Sequence, residues 1–299
     1  MPTLYNKESG YGKHSQAIPF TGGGQIFVVA RTAAAGRQIL QDTFRAFDGH
    51  ARYFSTIDSA IGHCAANRGD IIYVAPNHTE TITTAGAIAL DVAGVSVLGL
   101  GVGDNRPVIT FDSTDNTASI TISADDCAFK NIVLLCNDDG LTNALNVTGN
   151  DAQIDIESQD GSSAIEFATV IRLDTANNAN VKLRHLGLTA GDAMVSCIRL
   201  DNSQNVRIDI NGYGVVTTAW VEMVDVASVN VSVTGRMYTQ GITNFSRDVV
   251  DTITNSTWDA RIYDSSAGIS VEGGSAAALA ASDLASVASS LATLQAEVS

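Results

Sequence analysis

Five short runs decide how this chain folds: Cys127-Ala-Phe-Lys-Asn-Ile132, Ala152-Gln-Ile-Asp-Ile156, Val181-Lys-Leu-Arg184, Val206-Arg-Ile-Asp-Ile210 and Val229-Asn-Val-Ser-Val233. Each alternates apolar and polar residues, the period of a strand with one buried face. They start 25, 29, 25 and 23 residues apart. A second series lies between them: Ile171-Arg-Leu-Asp174, Ile198-Arg-Leu-Asp201 and Val221-Glu-Met-Val224. Asn, Asp or Ser introduces most of the runs (Asn150-Asp151, Asn180, Asn205, Ser228), as suits the turns that feed strands. Self-similarity at this period, made of short strands, predicts an all-β solenoid, a parallel β-helix.

Bulk composition agrees. The chain has 299 residues, 45% hydrophobic and 16% charged, with 26 Gly and only 4 Pro. That is enough apolar surface for a large core, in a texture of many strands and tight turns. The formal net charge of −15 repels phosphate backbones, and no basic patch offsets it, so nucleic acid is not an expected partner. No run approaches the roughly 18 apolar residues of a membrane helix, and Met1-Pro-Thr-Leu-Tyr-Asn-Lys7 lacks the apolar core of an export signal. Cys64, Cys127, Cys136 and Cys197 follow no metal-ligand spacing and are expected as reduced thiols of a protein made in a reducing cytoplasm.

Three regions are expected. Residues 1–25 read as an extended arm, broken by glycines, whose Tyr5, Tyr11 and Phe20 suit docking on a partner. Residues 26–267 are the β-helix. Within it, Ser55-Thr-Ile-Asp58 resembles a capping box, and Ile57, Ala60, Ile61 and Cys64 fall at helical spacing, predicting a short capping helix near 56–67. Such a helix would cover the open end of the solenoid. Residues 268–299 change texture: after Gly273-Gly-Ser275, the positions Ala277, Ala280, Leu284, Val287, Leu291, Leu294 and Val298 follow three- and four-residue steps. This is the seam of a coiled coil, too weakly charged to stand alone and therefore expected to join copies of the chain.

Chemistry is harder to find. Stacked turns would align Arg172, Arg199 and Glu222 in one ladder and Asp174 with Asp201 in another. Paired carboxylates serve glycoside hydrolysis or bind Ca²⁺, but Asp at strand ends is also ordinary turn chemistry. G-x-S-x-G is absent, the histidines are scattered, and Trp220 and Trp258 are the only tryptophans to line a sugar site. No catalytic residue, metal ligand or cofactor is assigned.

The opening turns carry a resemblance. Gly69-Asp-Ile-Ile-Tyr-Val-Ala-Pro-Asn-His-Thr-Glu-Thr-Ile82, Leu90-Asp-Val-Ala-Gly-Val-Ser-Val-Leu-Gly-Leu-Gly101 and Asn105-Arg-Pro-Val-Ile-Thr110 are similar to the first rungs of tailed-bacteriophage virion proteins with a pectate-lyase-like right-handed β-helix. The resemblance covers about residues 26–111. It implies a right-handed single-stranded solenoid, a homotrimer, and a place on a phage particle assembled in the host cytoplasm. There it would contact the major capsid protein or other virion proteins as a non-enzymatic decoration or head fibre. The alternative within the family is a tail spike that binds or depolymerises host surface polysaccharide. Outside it, a solenoid adhesin is the remaining reading.

Overall fold

The computed structural model describes residues 24–30, 52–113, 116–162, 165–187, 194–224 and 228–239. It also describes the backbone of Ser246–Asp248, Thr257–Asp264 and Ile269–Gly273. The expected arm, with Tyr5, Tyr11 and Phe20, and the C-terminal seam from Ala277 to Val298 lie outside the described residues.

Alternation becomes architecture through parallel pairing. The chain opens with β1 (Ile26–Val29), β2 (Tyr53–Phe54) and the helix α1 (Ile57–Ile61). The first coils are then β3 (Ile71–Val74), β4 (Thr79–Ile82) and β5 (Ile88–Leu90), followed by β6 (Ser96–Gly99), β7 (Val108–Phe111) and β8 (Ile120–Ile122). Next come β9 (Ala128–Cys136) with β10 (Leu145–Val147), β11 (Gln153–Gln159) with β12 (Thr169–Asp174), and β13 (Asn180–Leu186) with β14 (Met194–Asp201). The last are β15 (Arg207–Gly214) with β16 (Val216–Met223), β17 (Ser232–Thr239) with β18 (Ser246–Asp248), and β19 (Thr257–Asp264) with β20 (Ile269–Gly273). One sheet runs β2-β1-β3-β6-β9-β11-β13-β15-β17-β19-β20 and the other β18-β16-β14-β12-β10-β8-β5. Among the described strands every pairing is parallel except the last, where β20 folds back antiparallel on β19. The result is an all-β parallel solenoid of about seven turns, with almost no helix among the described residues.

Inward residues stack in columns at roughly 4.8 Å per turn. Register aligns Val97, Phe129, Ile154, Val181, Ile208 and Val233 in one column. Ile120, Leu145, Ile171, Ile198 and Val221 face it from the other sheet. All are buried, each contributing about 1.5–3 kcal/mol of apolar burial. The second series of runs pairs as the sequence suggests, Ile171↔Ile198↔Val221. The first series is corrected by two residues: Val181 stacks on Ile154 rather than Ala152. The slip is even, so every side chain keeps its face. The true spacing is 25 or 27 residues, as the side-chain ladders between turns repeat.

Those ladders sit at one corner. Asn67, Gly94, Asp126, Asp151, Asn178, Asn205 and Asn230 all have φ between 56° and 76°. Each of the first six donates its backbone N–H to the carbonyl just before the next one in the column. Only Gly, Asn and Asp enter this left-handed region cheaply, which is why they recur before each strand. Asn205 Nδ2 donates to Asn178 Oδ1 at 3.1 Å and Asn230 Nδ2 to Asn205 Oδ1 at 2.7 Å, stitching turns together outside the sheets.

The make-up of the coils changes along the axis. Early turns use three strands, with β4 pairing β7 apart from the β3–β6 pair. β9 accepts β6 along its first half and β7 along its second, with Asn131 (φ 57°) as a bulge between them. Asn131 Nδ2 donates to the carbonyls of Gly99 (2.8 Å) and Gly101 (3.1 Å). A Cβ at Gly99 would lie 2.1 Å from the Asn131 carbonyl oxygen. Gly99→Ala must therefore push two paired backbones apart. A loss of about 3 kcal/mol is expected by chemical denaturation, and a midpoint unchanged from wild type would show the corner to be plastic.

α1 is shorter than the sequence suggests. Thr56 is its N-cap, accepting from Ser59 N, and the helix stops before Gly62. Asp58 does not close a capping box; its carboxylate accepts from Ala89 N, while Glu80 Oε2 accepts from Ile57 N. The helix is thereby tied to β5 and β4. Behind it, Asp70 is fully enclosed and accepts from Gln25 N (2.7 Å), Ala65 N (2.8 Å), Arg68 Nε (2.7 Å) and Arg68 Nη2 (2.6 Å).

Candidate functional site

Four places gather polar chemistry. The first is inside. Ser158 and His185 occupy consecutive inward slots of β11 and β13, followed by Gly212 of β15. Ser158 Oγ lies 2.9 Å from His185 Nδ1, and His185 Nε2 lies 3.9 Å from Asp160 Oδ2. Trp220 presents its ring edge-on to the imidazole at 6.0 Å. A Cβ at Gly212 would meet Trp220 at 3.1 Å, so that glycine makes room for the indole. The order Ser–His–Asp resembles a hydrolytic relay, but Ser158 and His185 are both enclosed. Burial depresses the His185 pKa to about 3, far from the value a general base needs at neutral pH. As folded, the group admits no substrate.

The thiols are equally quiet. All four cysteines are free, three of them buried. Burial pushes Cys64 and Cys136 up to about 12, and Cys197 is raised by burial and by Asp160. Protonated thiols are poor nucleophiles and poor metal ligands. Among the described residues no group of three or more His, Cys, Asp or Glu could hold a metal ion.

The second place is the expected ladder on the outside of the second sheet. Register places Arg172 beside Arg199 and Arg199 beside Glu222, and Asp174 beside Asp201. Arg172 Nη2 reaches Asp174 at 3.2 Å and Asp201 at 3.5 Å, and Arg199 Nε lies 3.2 Å from Glu222. Ser196 Oγ donates to Glu222 Oε2 at 2.7 Å. Each carboxylate is thus engaged by a guanidinium, an arrangement of charge balance and not of paired free carboxylates.

The third place lies on the exterior of the first sheet. Glu157 points outward, yet its side chain is only 3% exposed. The loop holding the 3-10 turn Gly103–Asn105 folds over it, bringing Arg106 Nη2 to 2.9 Å. Arg184 Nη1 closes from the next turn at 2.9 Å, and Gln159 Nε2 donates at 2.6 Å. A cleft of about 180 Å³ opens beside this clamp, lined by Gly103, Asp104, Arg106, Val108, Val133 and Gln159.

The fourth continues from that cleft along the same face. Glu157, Arg184, Asn211 and Arg236 share one column, and Gln159, Leu186, Tyr213 and Tyr238 share the next. Register extends them to Arg261 and Tyr263. Tyr238 is 49% exposed. Of the two tryptophans, Trp220 is buried in the core, and the outer face carries Tyr213 and Tyr238 instead. The signal was present as Asn211-Gly-Tyr213, Arg236-Met-Tyr238 and Arg261-Ile-Tyr263.

Fold and surface together define a parallel β-solenoid whose apolar core encloses a small polar group and whose outer face is patterned by register. A comparison with protein-family models, characterised proteins and solved structures finds no match. No helix among the described residues is long and apolar enough to cross a membrane.

Proposed function

We propose that the chain is a non-enzymatic structural protein of a bacteriophage virion, a homotrimeric decoration or head fibre of the capsid. The observation that carries the non-catalytic part is the placement of chemistry. Ser158, His185 and three of the four thiols are buried in the core, while outward carboxylates such as Glu157 and Glu222 are held by arginines. A rigid stack of turns tied by interstrand ladders suits a load-bearing rod. The virion assignment rests on the resemblance of residues 69–110. The right hand of the solenoid, the trimer seam from Ala277 to Val298 and the docking arm with Tyr5, Tyr11 and Phe20 belong to the same proposal.

Immunogold labelling of particles from the parent lysate, with antibody to residues 120–260, tests it. Gold spread over heads is the expected result. Gold confined to tail tips would replace the decoration by the tail-spike reading, and unlabelled particles would remove the virion assignment altogether.

A further inference from the structure

We propose that the coils carrying β13 to β16 form an acid-opened joint, which parts in mild acid while the coils on its N-terminal side stay closed. The inference is independent of where the protein sits on a particle. It begins with one column of the core. Register stacks Ile109, Leu134, Ser158, His185, Gly212 and Met237 on successive turns. The column is apolar at both ends, but the three coils between contribute a hydroxyl, an imidazole and no side chain at all. Each of the three forgoes the aliphatic burial that Leu134 gives its own coil. The second sheet is irregular at the same level. Thr169, Ser196 and Ala219 are buried there in register, and the β14–β16 pairing shifts between Met194 and Ser196. In a solenoid each coil is held only by its neighbours, so a weak level can open alone.

The same level holds the group that opens it. Ser158 Oγ lies 2.9 Å from His185 Nδ1, so that ring nitrogen keeps a partner in either protonation state. The other nitrogen faces bare backbone. A Cβ on Gly187 would lie 2.9 Å from Nε2 and 2.9 Å from the Gly214 Cα, and one on Gly214 would lie 3.2 Å from Nε2. Two turns close on that nitrogen and leave no room for the water a cation needs. Few charged groups surround the ring. Asp160, just after β11, brings Oδ2 to 3.9 Å from Nε2, at the outer edge of ion-pair reach. Cys197 of β14 and Cys136 of β9, the latter itself near Asp138 and Glu166, lie near Asp160 and stay protonated. Arg184 on β13 turns outward to Glu157, while β15 and β16 offer the ring only Gly212, Gly214 and Trp220.

Burial holds the enclosed imidazole down to about 3, whereas one opened to solvent titrates near 6.5. Below about pH 6.5 the open form takes up a proton that the closed form refuses, so opening gains about tenfold per pH unit. Neutral solution therefore closes the joint and mild acid opens it. Opening bares Trp220, Met237 and Cys197, all enclosed in the closed form. The rod thus gains a bendable, apolar section at a defined level and keeps its remaining coils.

Amide hydrogen exchange of the full chain at pH 7.5 and 5, corrected for intrinsic rates, tests the proposal. Protection of residues 180–187 and 207–223 is expected to fall about thirtyfold in acid, while that of residues 120–136 holds. Cys197 should react with a dithiodipyridine reagent at pH 5 and not at pH 7.5, as located by mass spectrometry. His185→Gln should remove the pH dependence of both readouts. His78→Gln, which changes a second buried histidine, should keep it. If His185→Gln does not fold, the place of the lost protection and the thiol reactivity of the wild type decide. Protection lost evenly along the rod would overturn the joint, because acid would then loosen the whole fold. Unchanged protection at pH 5 would mean that Asp160 moves in to hold the cation, and would refute it. A pH dependence that survives His185→Gln would place the trigger elsewhere and overturn it as well.

Discussion

Acidifying the protein from pH 7.5 to 5 is expected to remove about 2 kcal/mol of stability through His185 alone. The folded imidazole is pushed down to about 3 by burial, whereas in the unfolded chain it titrates near 6.5. Between those values the unfolded state holds a proton that the native state refuses. The contribution is therefore intact above pH 6.5 and is lost progressively as pH falls towards 3. Asp160, at 3.9 Å, sits at the outer edge of ion-pair reach and beyond hydrogen-bond range, and Ser158, Gly212 and Trp220 are uncharged, so burial dominates. Denaturant midpoints at several pH values, for wild type and His185→Gln, give the measurement. The variant is less stable throughout because it leaves a gap beside Trp220, so the slope is the quantity of interest. Parallel slopes would mean that His185 is hydrated or paired in the native state.

The second large effect is expected at the other end of the molecule. Asp70→Ala should cost about 3 kcal/mol, because it orphans two part-buried N–H groups and strands the Arg68 guanidinium. Burial alone would raise the Asp70 pKa, but bonds from Arg68, Gln25 and Ala65 outweigh it and hold the carboxyl below its usual range. A carboxyl held low stabilises the fold above its unfolded pKa near 3.9 and loses that contribution only as pH falls further. It stays silent between pH 7.5 and 5, where the His185 effect is read. Asp70→Asn, which keeps acceptor capacity but not charge, should lie between alanine and wild type. Faster amide exchange at Gln25–Val29 and Ala65 would report the loosened entry to the first coil. An alanine variant melting within about 2 °C of wild type would show the network to be dispensable.

How much of this was legible depended on whether the cause lay in neighbouring residues. Alternation in Val206-Arg-Ile-Asp-Ile210 fixes an inward face, and the register agrees. Asn205 before it is legible because αL turns accept few residue types. The Arg172–Arg199–Glu222 ladder was readable because consecutive runs repeat residue for residue. Alignment by apolar slots alone could not separate Ala152 from Ile154 as the partner of Val181, since both satisfy a period of two. The bulge at Asn131 was hidden within a run that seems regular until Phe129 and Ile132 are both found buried. Burial of Glu157 was beyond reach, because the arginine that covers it comes from a loop two turns earlier. Tyr213 and Tyr238 went unread as a column because their meaning exists only after the 25-residue register is known.

The left-handed corner residues from Asn67 to Asn230 have an evolutionary consequence. Each coil meets its neighbours through one standard junction, with the same backbone geometry and the same carbonyl acceptor, so coils are interchangeable parts. A duplication or loss that begins and ends at this corner changes the length of the rod while leaving every remaining junction satisfied. The molecule can therefore be lengthened to match whatever distance it must bridge, one coil at a time, without redesigning its core.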